Sequence, residues 1–150
     1  MNEHSFVKSV HRKLPRSIYR WKIHDSFTGG VPDAMYAGPS GMLFVEYKYL
    51  KNLPKKDTTV ITTGLSPLQL NWLNQMMDYG HRCVVAIGSS RGIFVISDAN
   101  TLNENISNAK FQSLLISLDE FIEYICNTVN TNESINPSRK LQTDLERKKT

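Results

Sequence analysis

The sequence predicts an α/β domain whose elements run helix, three strands, helix, strand. Three patterns predict it. Apolar residues recur every three or four positions near the N-terminus, over 66–79 and over 117–129. Between those stretches they alternate or run together, and Gly and Pro clusters mark the joins. A chain of 150 residues makes one ordinary domain, and 40% hydrophobic with 9% aromatic residues supplies its core. We expect the domain to span 1–129.

Residues 3–14 read as a helix. Phe6, Val10 and Leu14 share one face with Val7 beside them, and Lys8, Arg12 and Lys13 lie elsewhere. Glu3 suits the positive end of the helix dipole, and Pro15 stops the helix. Residues 17–24 alternate Ile18, Arg20, Lys22 and His24 against Tyr19, Trp21 and Ile23. That is a half-buried strand, with the aromatic face expected in the core and the basic face free to track phosphates. In the loop 25–30, Gly29 and Gly30 let the backbone approach a ligand or adopt positive φ. Pro32 disfavours helix at Val31 and helps aim Asp33. A strand at 34–37, a turn at Gly38-Pro39-Ser40-Gly41 and a strand at 42–50 then form a hairpin.

Residues 52–63 are polar and lysine-bearing, and read as an exposed, mobile loop. Ser66, Pro67 and Gln69 make a capping box with Pro at the first helical position, and Gly80 ends that helix. The run 82–88 is a buried strand, followed by a turn and a strand over 92–97. Residues 98–110 read as irregular with one short helix, and 111–116 as a further short strand. Ser117 and Glu120 repeat the capping box before a helix to Val129. From Asn130 on, apolar residues nearly vanish, with Ile135, Leu141 and Leu145 spread over 21 positions, the composition of a disordered basic tail over 130–150.

The chemistry gathers at the hairpin. Alternation puts Phe44, Glu46 and Lys48 on one face of the strand, with Leu43, Val45 and Tyr47 on the other. A carboxylate and an ammonium inside an apolar strand are unusual to bury. The turn folds Asp33 back toward Glu46. Two carboxylates and a lysine then suit a hard divalent cation such as Mg²⁺, or form a buried salt bridge that holds the hairpin.

Charge supports a polyanion partner. The net charge is +4, yet residues 1–56 hold ten Lys or Arg against four acids, and two of those acids are Asp33 and Glu46. No apolar run is long enough to span a membrane, and the N-terminus lacks the order of a signal peptide. The expected location is the cytoplasm of a bacterial or phage-infected cell. Cys83 and Cys126 form no metal pattern and read as buried thiols.

The order Pro32-Asp33…Glu46-Tyr47-Lys48 resembles the PD-(D/E)XK nuclease superfamily, and within it the VRR-NUC and Holliday-junction-resolvase-like branch. The resemblance covers about 3–96. It implies a restriction-endonuclease-like core (α-β-β-β-α-β) with a central mixed β-sheet flanked by helices. It implies Mg²⁺, with Mn²⁺ able to substitute, held by Asp33, Glu46, the main-chain carbonyl of Tyr47 and a helix glutamate, for which Glu3 is the candidate. Lys48 then orients water or stabilises developing charge. Gln69 has two readings, a cap or a site residue, and Glu3 likewise is a first-turn acid or a ligand. Lys8, Arg12, Arg20, Lys22, His24, Thr28, Gly29, Gly30, Lys51, Lys55 and Lys56 are the candidate nucleic-acid contacts. The activity implied is a structure-selective DNA endonuclease acting on junctions or flaps, as a homodimer. A sequence-specific homing or restriction-type endonuclease, or a non-catalytic nucleic-acid-binding module, stands as the alternative.

Overall fold

Asn2 opens the first helix, α1 (Glu3–Lys13). Its side chain accepts the Ser5 N–H while its own N–H donates to the Ser5 hydroxyl. The structure, a computed structural model, describes residues 1–130, so the expected tail lies outside the described residues. Strands β1 (Tyr19–Lys22), β2 (Ala34–Gly38) and β3 (Gly41–Leu50) follow as an antiparallel meander. After β4 (Val60–Ile61) and α2 (Pro67–Asp78), the chain crosses over to β5 (Cys83–Ser89), parallel to β3, and turns back as β6 (Gly92–Ile96). The result is one mixed five-stranded sheet in the order β1-β2-β3-β5-β6. Then come α3 (Ala99–Leu102), β7 (Ile106–Ser107), α4 (Asn108–Ser113) and α5 (Leu118–Asn130). The expected α-β-β-β-α-β order and mixed sheet are therefore present.

Each face of the sheet has its own core. On one, α1 and α5 bury Phe6, Val10, Phe121 and Ile125 against Leu43, Val45 and Tyr47. Full burial of such side chains stabilises by about 1.5–3 kcal/mol each. On the other, α2 and α4 cover β5 and β6: Leu73 and Phe111 pack with Val85, Ile87 and Phe94, and Trp72 meets Phe44 edge-on. The alternation of β3 is what separates its residues between the two layers.

Four sequence expectations change. Tyr19 and Trp21 are 58% and 50% exposed instead of lying in the core. Their neighbours across the register are Ala37 and Met42, and Met35 and Phe44, on the face where α2 packs on Phe44 of β3 but leaves β1 uncovered. The helical layer is simply too narrow to cover β1. Residues 52–63 are not a free loop, because β4 pairs with β7 and carbonyls at 54, 56, 57 and 59 are hydrogen-bonded from 108–109. The expected strand at 111–116 is the end of α4: Ser107 caps it, Phe111 stacks on Phe94, and only Ile116 bridges to Ile93. Residues 98–110, expected to be irregular with one short helix, hold that helix as α3 and also β7 and the start of α4. Periodicity is blind to such pieces, since each is shorter than two turns or three strand residues.

Candidate active site

Asp33 stands one residue before β2, and the register Ala34↔Val45 places it beside Glu46 just ahead of the first residue of β2. Its Oδ2 accepts the Tyr47 N–H at 2.9 Å. A strand residue points its N–H and C=O to the same edge, so the Tyr47 carbonyl also faces the space that Asp33 enters. Tyr47 is held firmly from the other layer: its hydroxyl pairs with that of Tyr36 at 2.5 Å, and the Tyr36 hydroxyl meets His11 Nε2 at 2.8 Å.

Glu46 is 2% exposed on the α2 face. Its Oε1 accepts Gln69 Nε2 at 3.0 Å and lies 3.6 Å from Lys48 Nζ. Its Oε2 is buried and meets no hydrogen-bond donor among the described residues. Burial first, then the neighbouring Asp33 charge, raises its carboxyl from 4.5 to about 8, against the opposing pull of Lys48. A buried acceptor left unmet costs stability unless something binds it.

Gln69 comes into position because Ser66 caps α2. The Ser66 side chain accepts the Gln69 N–H, and Gln69 Oε1 accepts the Ser66 N–H at 2.9 Å. The glycine pair sets how closely this helix approaches. A Cβ at Gly29 would sit 2.5 Å from Leu68 Cδ1, and one at Gly30 (φ 86°) would sit 2.3 Å from the Leu68 carbonyl oxygen. The close backbone approach expected at this pair is thus made to α2. It draws the lead-in to Asp33 against the helix turn that carries Gln69.

Glu3 reaches the cluster from the start of α1, with Oε1 4.0 Å from Lys48 Nζ. It faces the ammonium. Among the described residues, no three His, Cys, Asp or Glu side chains gather to hold a metal, so Glu3, Asp33 and Glu46 do not form a three-carboxylate cage. The donors that do fit a cation are the Asp33 and Glu46 carboxylates and the Tyr47 carbonyl. Mg²⁺ takes hard oxygen donors, often only one or two carboxylates, and keeps waters and substrate phosphate on its remaining positions.

Two recesses open beside the cluster. One of about 270 Å³ is lined by Glu3, His4, Lys22, His24 and Asp33. The other, of about 400 Å³, is lined by Asn2, Glu3, His4, Tyr49 and Lys51. His4 borders both and was not singled out from the sequence; its place beside Glu3 in the first turn is the signal that could have found it. The larger recess of about 870 Å³ lies at the other end of the sheet, around Arg82, Ser97 and Tyr124. Arg82 there is occupied with the carbonyls of Thr128 and Ser40.

The candidate nucleic-acid contacts divide. Lys22 and His24 line the recess beside Asp33, and Lys51, Lys55 and Lys56 are exposed beyond the end of β3. Lys8 and Arg12 are exposed on α1. Thr28 is exposed and its N–H donates to Asp25 Oδ1. Arg20 is committed elsewhere: its guanidinium donates to the carbonyls of His11, Leu14 and Pro15, closing the C-terminal end of α1.

The architecture is the restriction-endonuclease-like α/β fold. Among solved structures, the chain is similar to Archaeoglobus fulgidus Hjc, a Holliday junction resolvase from an archaeal hyperthermophile. The TM-score is 0.50 at 13% identity, over 82% of this chain and 97% of that one. At that identity the likeness establishes the fold. No family model and no curated protein matches the chain. No described helix is long and apolar enough to cross a membrane.

Proposed function

We propose that the protein is a Mg²⁺-dependent endonuclease that hydrolyses phosphodiester bonds in branched DNA. The observation that carries this reading is Glu46 Oε2, a buried carboxylate oxygen on the same strand as Lys48 that meets no donor among the described residues and faces a second carboxyl, Asp33. A divalent cation, when bound, supplies charge neutralisation on the scissile phosphate and a water of lowered pKa.

The residues divide the remaining work. Asp33 and Glu46 give oxygen donors, and the Tyr47 carbonyl a third. Lys48 places a positive charge where charge develops on the phosphate or on the attacking oxygen. Gln69 holds Glu46 by one oxygen and leaves the other for the cation. Lys22, His24 and Lys51 border the site and suit the flanking phosphates. The resolvase-like fold favours branched DNA as the substrate.

Symmetric cutting of a junction needs two sites, and a second copy of this chain supplies the other. The uncovered face of β1, with Met42 of β3 at its margin, suits it. Tyr19, Trp21 and Met42 are exposed there, and α2 beside them carries no charged residue between Pro67 and Met77. A face without cations is poorly matched to a polyanion and well matched to its own copy across a two-fold axis.

A substrate panel tests this reading, with linear duplex, flap, four-way junction and single strand each given Mg²⁺, Mn²⁺ or EDTA. Cutting of branched substrates whatever their sequence, lost in EDTA and in Glu46→Ala protein, is expected. Cutting at one linear sequence would replace this reading with a restriction-type one. Binding without cutting under any metal would leave a non-catalytic module.

A further inference from the structure

The asparagine-rich segment after β6 holds a residue that the proposed chemistry does not use. Asn108 is 1% exposed, and its whole amide is engaged. Nδ2 donates to the carbonyls of Pro54 at 3.0 Å and Lys56 at 3.1 Å, and Oδ1 accepts Gln112 Nε2 at 2.9 Å. Its backbone N–H donates to the Thr59 carbonyl at 2.7 Å, and that of Ala109 donates to the Asp57 carbonyl at 3.1 Å. Beyond this, Val60 and Ile61 pair with Ser107 and Ile106. A buried amide of this kind adds little to a core that leucine would not add. What it does fix is a backbone path, because every partner lies on 54–59 or on its own helix.

That path displays Lys55 and Lys56, with Lys51 at its root. All three are exposed, and none forms an ion pair among the described residues. Lys51 also lines the recess shared with Glu3 and His4, so the lysines begin where the candidate site ends. A free loop loses backbone entropy at every residue that a ligand orders. A loop already held by Asn108 avoids that loss.

We propose that Asn108 is a positioning residue that fixes 54–59 as a pre-shaped cationic ledge for the phosphate backbone of a duplex arm beside the cleaved bond. The inference rests on the nuclease reading for its substrate, and it concerns binding alone. The segment from α3 to α4 thereby shapes the DNA contact from behind.

The experiment measures affinity for a labelled four-way junction and a linear duplex in EDTA, across salt, for four proteins. These are wild type, Asn108→Ala, the Lys51→Ala/Lys55→Ala/Lys56→Ala triple, and the combination. The triple should flatten the slope of log affinity against log salt by about 2–3, at roughly 0.9 per phosphate lost. Asn108→Ala should weaken binding about 5- to 20-fold and flatten the slope by about 1. The combination should bind no more weakly than the triple, since the amide acts through the lysines. Asn108→Ala should also speed tryptic nicking after Lys55 and Lys56. If it does not fold, Gln112→Ala, which removes the support of Oδ1, should show the same pattern at smaller size. An equal loss from Asn108→Ala with and without the lysines overturns the proposal, as does a triple variant that binds like wild type. Absence of cleavage with this binding pattern intact would instead overturn the nuclease reading and leave the ledge standing.

Discussion

The side-chain amide of Gln69 binds two partners at once: its oxygen accepts the Ser66 N–H at 2.9 Å, and its nitrogen donates to Glu46 Oε1 at 3.0 Å. The cap and the site contact, which read as rivals in the sequence, are the two ends of one group. The cap fixes the amide so that only its N–H₂ end faces the carboxylate. Gln69→Ala should therefore lose cleavage by about 10- to 100-fold and also lose about 1 kcal/mol of stability. Ser66→Ala removes the hydroxyl that caps the Gln69 N–H but keeps the backbone N–H that holds Gln69 Oε1, so it should lower the melting temperature while leaving cleavage within a fewfold of wild type. Thermal melts and single-turnover cleavage on the same preparations separate the two effects.

Lys48 lies 3.6 Å from Glu46 and 4.0 Å from Glu3, and among the described residues it is the one Lys or Arg in an ion pair with Glu46. Asp33→Ala, Glu46→Ala and Lys48→Ala should each abolish Mg²⁺-dependent cutting while DNA affinity in EDTA stays within about threefold, since the phosphate contacts lie elsewhere. Lys48→Arg keeps the charge but changes its shape and reach, and should retain less than about a hundredth of the rate. A Glu46→Ala protein that cuts as well as wild type would move the site away from β3.

The buried carboxyl of Glu46 makes a prediction with a definite sign. An ordinary carboxyl at 4.5 is raised to about 8 by burial and by Asp33. The folded chain thus holds this proton more tightly than the unfolded one. Its contribution to stability is complete below about pH 4 and is lost as pH rises through 8. Metal-free protein should melt at a lower temperature near pH 8.5 than near about pH 6, by more than Glu46→Gln protein does over the same range. Added Mg²⁺ should restore more stability at the higher pH, because it binds the ionised form. Differential scanning fluorimetry of both proteins in EDTA and in Mg²⁺ checks this. A wild type whose pH dependence matches that of Glu46→Gln would show that the carboxyl is not perturbed.

Much of this was legible because the signals are local. The hairpin turn, the alternation that puts Glu46 and Lys48 on one face, and the Ser66 capping box are each written within a few residues. Asp33 was legible through Pro32 and the turn that returns it. What failed is non-local. Tyr19 and Trp21 alternate as a buried face would, and only the reach of α2 leaves them bare. Residues 52–63 look free in sequence, and the asparagine that pins them stands about fifty positions later. Arg20 reads as a phosphate contact until its three carbonyl partners at the end of α1 are seen.

Those bare aromatics yield the last expectation. Tyr19 pairs laterally with Ala37 and Met42, and Trp21 with Met35 and Phe44, so the exposed rings stand in one apolar row beside an α2 that carries no charge from Pro67 to Met77. Half-exposed rings of this size offer on the order of 100 Å² each. With Leu68 and Met42 at the margin, they would be the centre of the proposed self-interface, which needs about 800 Å² per partner. Trp21→Glu places like charges near the two-fold axis, where they are desolvated together. It should convert a dimer to a monomer in sedimentation velocity. The fold should survive, since a half-exposed site costs little in the monomer. Paired cuts in a four-way junction should then become single nicks, while nicking of a one-site flap continues. A Trp21→Glu protein that stays dimeric and still makes paired cuts would place the second copy on another face.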